Sequence, residues 1–248
     1  MQESPRGGAA GRRLVFLHGF TQNAACIGDI GPGLAKNNEL LAVDLPGHAG
    51  SSDYASADLW QSASLIAKTT GPACYIGYSM GGRIALHLAL TDPTAVDRLV
   101  LIGATAGISD PATRAERALL DAKNADRIVE LGTNRFVEEW LKQPLFATLP
   151  SNTRFEEERG RNNPSALAQS LRKCGTGSME PLWERLDAIE CPVLILSGSE
   201  DAKFRELAER MAHAIGRNAT AVVIAGSGHS VHLEQPALCR EAIERFLG

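Results

Sequence analysis

Six short runs of almost unbroken apolar residues constrain this chain more than anything else: RLVFLH (13–18), LLAVDL (40–45), ACYIGY (73–78), DRLVLIG (97–103), PVLILSG (192–198) and TAVVIAG (220–226). A strand covered on both faces has no wet side, so it loses the polar–apolar alternation of a half-exposed strand. Segments 57–70, 81–91, 203–215 and 236–247 are long enough for helices and fall between or after these runs. Strand and helix in alternation predict an α/β fold built on a mostly parallel, doubly wound sheet. The alternation stops between 104 and 191. That stretch offers PATRAERALLDAK, NRFVEEWLKQ and NPSALAQSLRKC as helices, the last with Asn163 as N-cap and Pro164 in the first turn. A helical insertion within one sheet predicts a lid over the C-terminal strand ends, where open α/β sheets bind ligands. The expected division is a first core part (1–105), a helical lid (106–185) and a second core part (186–248).

Charge and cysteine content narrow the partners. The 248 residues carry a net charge of −4 without a basic cluster, which argues against nucleic acid. No apolar run approaches the roughly 18 to 20 residues that a membrane span needs. The opening MQESPRGGAAGRR lacks the apolar core of a secretory signal. Cysteines 26, 74, 174, 191 and 239 are odd in number and never form C-x-x-C, so neither a disulfide framework nor a zinc site is expected. These features predict a soluble, cytoplasmic protein. No H-E-x-x-H or carboxylate cluster calls for a metal, and no organic cofactor is expected.

GYSMGG (77–82) follows the third apolar run directly. Three glycines around one serine fit G-x-S-x-G, a sharp strand-to-helix turn that presents Ser79 Oγ in a pocket; the plainer reading is a glycine-rich helix start. A nucleophilic or basic serine needs a histidine. His229, in GSGHSVHLEQP after the last apolar run, is preferred to His232 because the glycines before it let the loop reach the site. His18, His48, His87 and His213 read as structural or surface residues. The acid should follow a late strand, and Asp201 in LILSGSED does so, with Glu200 as its neighbour and alternative. The plainer reading of Asp201, as a cap for the following helix, is a role it could also fill. In FLHGF (16–20), the Phe20 amide can face a developing negative charge, and the Met80 amide supplies a second donor.

Taken together, HGF, DLPGHAGS, GYSMGG, SGSED and GHSVHLEQP resemble the α/β-hydrolase superfamily across nearly the whole chain. The short stretch before RRLVF leaves little room for the first two strands of the full fold, so six or seven strands are expected. Because this fold hosts many reactions, the pocket must supply the function. Arg83 stands one helical turn after Ser79, on a face that should be buried, and a buried guanidinium needs an anionic partner. Lid segments RAER, WLKQPLFATL and RGRNNPSAL, with SEDAKFRELA, resemble the 2-succinyl-6-hydroxy-2,4-cyclohexadiene-1-carboxylate synthase family of menaquinone biosynthesis. The resemblance implies a cofactor-free lyase that eliminates pyruvate from a small anionic substrate with several carboxylates. It further implies substrate contacts by Arg83, Arg117, Arg161, Trp140 and Tyr78. Trp140 could equally be a lid-core residue. Leu141 stands where family members often carry tyrosine. Two rival readings are a serine hydrolase working through an acyl-enzyme and a non-catalytic, lidded binding protein.

Overall fold

The computed structural model describes residues 11–248, so most of the N-terminal stretch read for a secretory signal lies outside the described residues. Six strands form one sheet: β1 (Arg13–Leu17), β2 (Glu39–Val43), β3 (Ala73–Tyr78), β4 (Val96–Ile102), β5 (Val193–Gly198) and β6 (Ala219–Ile224). Their spatial order is β2-β1-β3-β4-β5-β6, and all five pairings are parallel. Each apolar run of the sequence overlaps one of these strands to within a residue at its start.

Among the described residues ten α-helices accompany the sheet: α1 (Ile30–Leu34), α2 (Leu59–Thr70), α3 (Met80–Thr91), α4 (Pro111–Leu131), α5 (Thr133–Trp140), α6 (Glu156–Gly160), α7 (Pro164–Cys174), α8 (Ala202–Ile215), α9 (Val231–Glu234) and α10 (Pro236–Leu247). The two-residue period of the strands sorts their side chains into two cores. Val15, Leu17, Tyr75, Leu99, Leu101, Val193 and Ile195 pack against α2, α3 and α8 on one face. Leu14, Phe16, Cys74, Ile76, Val100, Ile102, Leu194 and Leu196 meet α1, α9 and α10 on the other. Both faces of the inner strands are covered, which is why β1, β3 and β5 read as solid apolar runs, whereas the edge strands β2 and β6 stay partly exposed.

Helices α4 to α7 all lie between β4 and β5. Asp110 caps α4 through the Thr113 amide, with Pro111 in the first turn, and the helix runs on to Leu131 before Gly132 ends it at φ 75°. It is therefore eight residues longer than PATRAERALLDAK suggested. Asn163 caps α7 through the Ala166 amide at 3.0 Å, with Pro164 next, as expected. Ala125 and Ile128 of α4, Phe136 of α5 and Leu167 and Leu171 of α7 give the insertion its own small core. No helix among the described residues is long and apolar enough to cross a membrane.

Candidate active site

The turn at Ser79 follows from close packing. Ser79 has φ 50° and ψ −105° between the end of β3 and the start of α3, and its amide is tied to the Ile102 carbonyl at 2.9 Å. A non-glycine residue at positive φ is strained and persists only where its surroundings over-determine it. The glycines provide those surroundings. A Cβ on Gly81 would stand 2.0 Å from the Leu17 carbonyl oxygen, and one on Gly82 would stand 2.6 Å from the Ala104 side chain. Side chains there would push α3 off the sheet.

Two loops at the same ends of the strands bring the remaining groups to Ser79. His229 Nε2 lies 3.3 Å from Ser79 Oγ, and His229 Nδ1 lies 3.0 Å from Asp201 Oδ2. With Nδ1–H donating to the carboxylate, Nε2 keeps its lone pair for the serine proton. Asp201 makes both contacts that its position suggested. Its other oxygen, Oδ1, accepts the Phe204 amide at 3.2 Å and caps α8. Burial pushes the Asp201 carboxyl up, but the His229 hydrogen bond and charge, with the Phe204 amide, hold it below the usual carboxylate value. The Phe20 and Met80 amides have no protein acceptor among the described residues. Both are therefore available to a bound oxygen.

Above Ser79 is a cavity of about 200 Å³ between the sheet and the inserted helices. Arg83, Arg117 and Arg159 line it, with Lys203 and one carboxylate, Asp121. Trp140, Phe146, Phe20 and Phe204 supply apolar wall. A cavity of this make-up can hold an anion against a Ser–His pair.

A model of the alpha/beta hydrolase family matches residues 14–242. The chain belongs to that family. Within it, the chain is 32% identical to a 2-succinyl-6-hydroxy-2,4-cyclohexadiene-1-carboxylate synthase of Salmonella agona, over 94% of this chain and 93% of that one. The structure of MenH from S. aureus superposes with a TM-score of 0.88 at 33% identity, covering 95% of this chain and 93% of that chain. A thermophilic esterase from Thermogutta terrifontis superposes with a TM-score of 0.79 at 23% identity over 96% and 90% of the two chains, which shows the shared fold alone.

In this alpha/beta hydrolase the expected substrate residues fall unevenly. Arg83 is 6% exposed on α3 and donates from Nη1 to the Cys174 carbonyl. No protein carboxylate lies within ion-pair distance of it among the described residues, and burial lowers its pKa to about 10. Arg117 reaches the cavity from α4, paired through Nε to Asp121 at 2.8 Å. Trp140 stacks on Phe136 and meets Phe20 edge-on, and its buried Nε1–H has no protein acceptor. Tyr78 touches the cavity, but its hydroxyl is taken by Ser230 Oγ at 2.7 Å. Leu141 is buried among Val137, Phe146 and Leu149, away from the cavity lining.

Arg161 requires correction. Its side chain is 60% exposed and pairs with Glu157 at 3.0 Å, outside the cavity. Two residues along a helical turn is about 200° of rotation, so Arg161 and Arg159 face opposite ways. Arg159 is the inward one, 1% exposed. It donates from Nε to the Arg154 carbonyl at 2.7 Å and from Nη1 to Thr21 Oγ1, while Nη2 is buried without a protein partner. The Glu157–Arg161 spacing of four residues was the available signal, since such a pair marks the wet side of a helix. Asn162 and Asn23 complete the junction: Asn162 Nδ2 donates to the Thr21 carbonyl at 2.7 Å, and Asn23 Nδ2 donates to the Glu158 carbonyl at 2.7 Å. Thr21 sits at φ 69°, a left-handed conformation that its β-branched side chain resists.

The other histidines separate from His229 by burial and partners. His18 accepts the Leu45 amide at Nε2 and donates from Nδ1 to the Gly19 carbonyl at 2.8 Å, which fixes the turn before Phe20. His48 and His87 are buried packing residues, each with a pKa lowered by burial to about 4. His232 packs on Phe16 and Tyr78 with neither ring nitrogen bonded, and burial lowers its pKa to about 3. His213 is exposed on α8. A histidine with a folded pKa below its unfolded value binds fewer protons when folded, so stability rises with pH across that window. Stability to urea should therefore fall as pH drops from about 6.5 towards 4, with a slope of several protons. His232→Phe should remove close to one proton from that slope. An unchanged slope would mean that His232 protonates normally in the fold.

Proposed function

We infer that the protein is a carbon–oxygen lyase that eliminates pyruvate from 2-succinyl-5-enolpyruvyl-6-hydroxy-3-cyclohexene-1-carboxylate, giving 2-succinyl-6-hydroxy-2,4-cyclohexadiene-1-carboxylate. The observation that carries this reading is the cavity chemistry: three guanidinium groups, from Arg83, Arg117 and Arg159, around a Ser–His pair. The substrate brings three carboxylates, and planar guanidinium forks are their natural partners in a secluded site. The named relatives support the same assignment.

In the reaction, His229 takes the Ser79 proton and the Ser79 oxygen removes a proton from the ring. The C–H electron pair forms an enolate with the succinyl ketone, and the charge on its oxygen is stabilised by the Phe20 and Met80 amides. That charge returns to form a ring double bond, the existing ring double bond shifts by one position, and the C–O bond breaks with its electron pair leaving on the enolpyruvyl oxygen. The departing enolpyruvate regains a proton and becomes pyruvate. Asp201 holds the imidazole tautomer and offsets its transient charge. Helices α4 to α7 act as the lid that keeps water from the carbanion. The free cysteines suit a reducing compartment, and we place the reaction in the cytoplasm. The test is pyruvate release from the enolpyruvyl substrate by the purified protein. Absence of Ser79-dependent release would refute the assignment.

Arg83 provides a finer test. Arg83→Lys keeps the charge but loses the fork, so it should cost about 1.5 to 3 kcal/mol in transition-state binding, the scale of a charged hydrogen bond. That is a loss of roughly tenfold to a hundredfold or more in kcat/KM. Hydrolysis of a neutral aryl ester, if any is measurable, should not respond. Unchanged lyase kinetics with lysine would leave Arg83 a structural role only, holding the Cys174 carbonyl.

A further inference from the structure

Asp121 is the single carboxylate among the cavity-lining residues, facing Arg83, Arg117, Arg159 and Lys203. It lies on α4 and is 3% exposed. Both of its oxygens are committed. Oδ1 accepts Arg117 Nε at 2.8 Å, and Oδ2 accepts the Gly177 amide from the turn after α7 at 3.1 Å. Gly175 is bare where that oxygen sits, since a Cβ there would be 2.5 Å from Oδ2. The carboxylate is therefore held from two elements and cannot follow a moving arginine. The Arg117 side chain, by contrast, is 34% exposed and has no other ion-pair partner among the described residues. A guanidinium gripped only at Nε retains its two terminal nitrogens, the edge that can take a carboxylate through two parallel bonds.

We propose that Asp121 is a positioning residue for substrate binding: it fixes Arg117 by Nε on the cavity wall and leaves the terminal nitrogens for a substrate carboxylate. This rests on the reading of the cavity as a carboxylate site. Without Asp121, the half-exposed Arg117 has solvent on one side and the like charge of Arg83 on the other, so it withdraws. Asparagine at 121 separates this role from support of the turn, because its oxygen still accepts the Gly177 amide while the charge is gone.

Asp121→Asn should raise KM for the enolpyruvyl tricarboxylate about tenfold, the scale of one charge-assisted contact, with kcat within about twofold. In an Arg117→Ala background the same substitution should change kcat/KM by less than about twofold, since residues acting through one contact are not additive. A crystal structure of Asp121→Asn should find the Arg117 guanidinium turned out of the cavity. Equal losses in both backgrounds, or a loss confined to kcat, would overturn the proposal and leave Asp121 to the lid turn. If the wild-type protein releases no pyruvate, the reaction assignment fails by itself. The Arg117 position in the Asp121→Asn crystal then decides, and an unmoved side chain would refute the positioning role.

Discussion

Ser79→Ala and His229→Ala are each expected to lower turnover by roughly four to six orders of magnitude, the scale seen when one member of such a unit is removed. The reason is geometric. His229 Nε2 at 3.3 Å is the base within reach of Ser79 Oγ, and no other histidine nitrogen bonds that oxygen among the described residues. The double variant should be no worse than either single one, because each already disables the same proton transfer. His232→Ala makes the contrast. Its ring is fully buried against Phe16 and Tyr78, so truncation should cost stability by about 2 to 4 kcal/mol through the cavity left behind. Turnover per folded molecule should remain near normal. If His232→Ala proved the slower enzyme at equal folded fraction, His229 would lose its assignment as the base.

Asp201→Asn should separate folding from turnover. Oδ1 of Asp201 caps α8 through the Phe204 amide, and an asparagine oxygen can do the same, so the melting temperature should hold within a few degrees. The second branch, however, would present an amide where Oδ2 now accepts His229 Nδ1–H. The imidazole would flip tautomer and offer a proton to Ser79 instead of a lone pair. A loss of about 10⁴-fold in kcat follows from the same substitution in serine proteases. Glu200 is exposed, and only its backbone amide is engaged, by the Ser227 carbonyl. Glu200→Gln should therefore be nearly silent. Measuring kcat and thermal unfolding on both variants checks the pair, and a dead Glu200→Gln beside an active Asp201→Asn would reverse the roles.

The parts of this molecule that could be read from sequence are those set by local chemistry. ACYIGY and PVLILSG are strands because burial on both faces leaves no other way to satisfy so many apolar side chains and backbone groups together. The turn at Ser79 was readable because only glycine tolerates the close approach of Leu17 and Ala104. For Asp201, cap and triad partner looked like competing roles, whereas its two oxygens divide the work. The misassigned residues belong to tertiary docking. Arg159 and Arg161 differ by two positions, and which one turns inward depends on α6 meeting the loop at 20–23. Asp121 is buried, yet nothing in the charge-rich sequence of α4 sets it apart from the exposed acidic residues around it. Its second oxygen is held by the Gly177 amide, fifty-six residues away.

The junction at Thr21 links two structures usually regarded as separate. Arg159 and Asn162 bond Thr21, and Asn23 bonds back to Glu158, so residues 158–162 and 21–23 are one stitched unit. Thr21 keeps its strained φ of 69° under those bonds, and Phe20, whose amide has no protein acceptor among the described residues, is the residue just before it. Undocking of the inserted segment would release the strain and let the Phe20 amide turn away. On the proposed mechanism, charge forming on substrate would be supported only while residues 158–162 hold Thr21. Such an interlock would tie charge stabilisation to closure of the cavity, so that the proposed carbanion would form only where water is excluded.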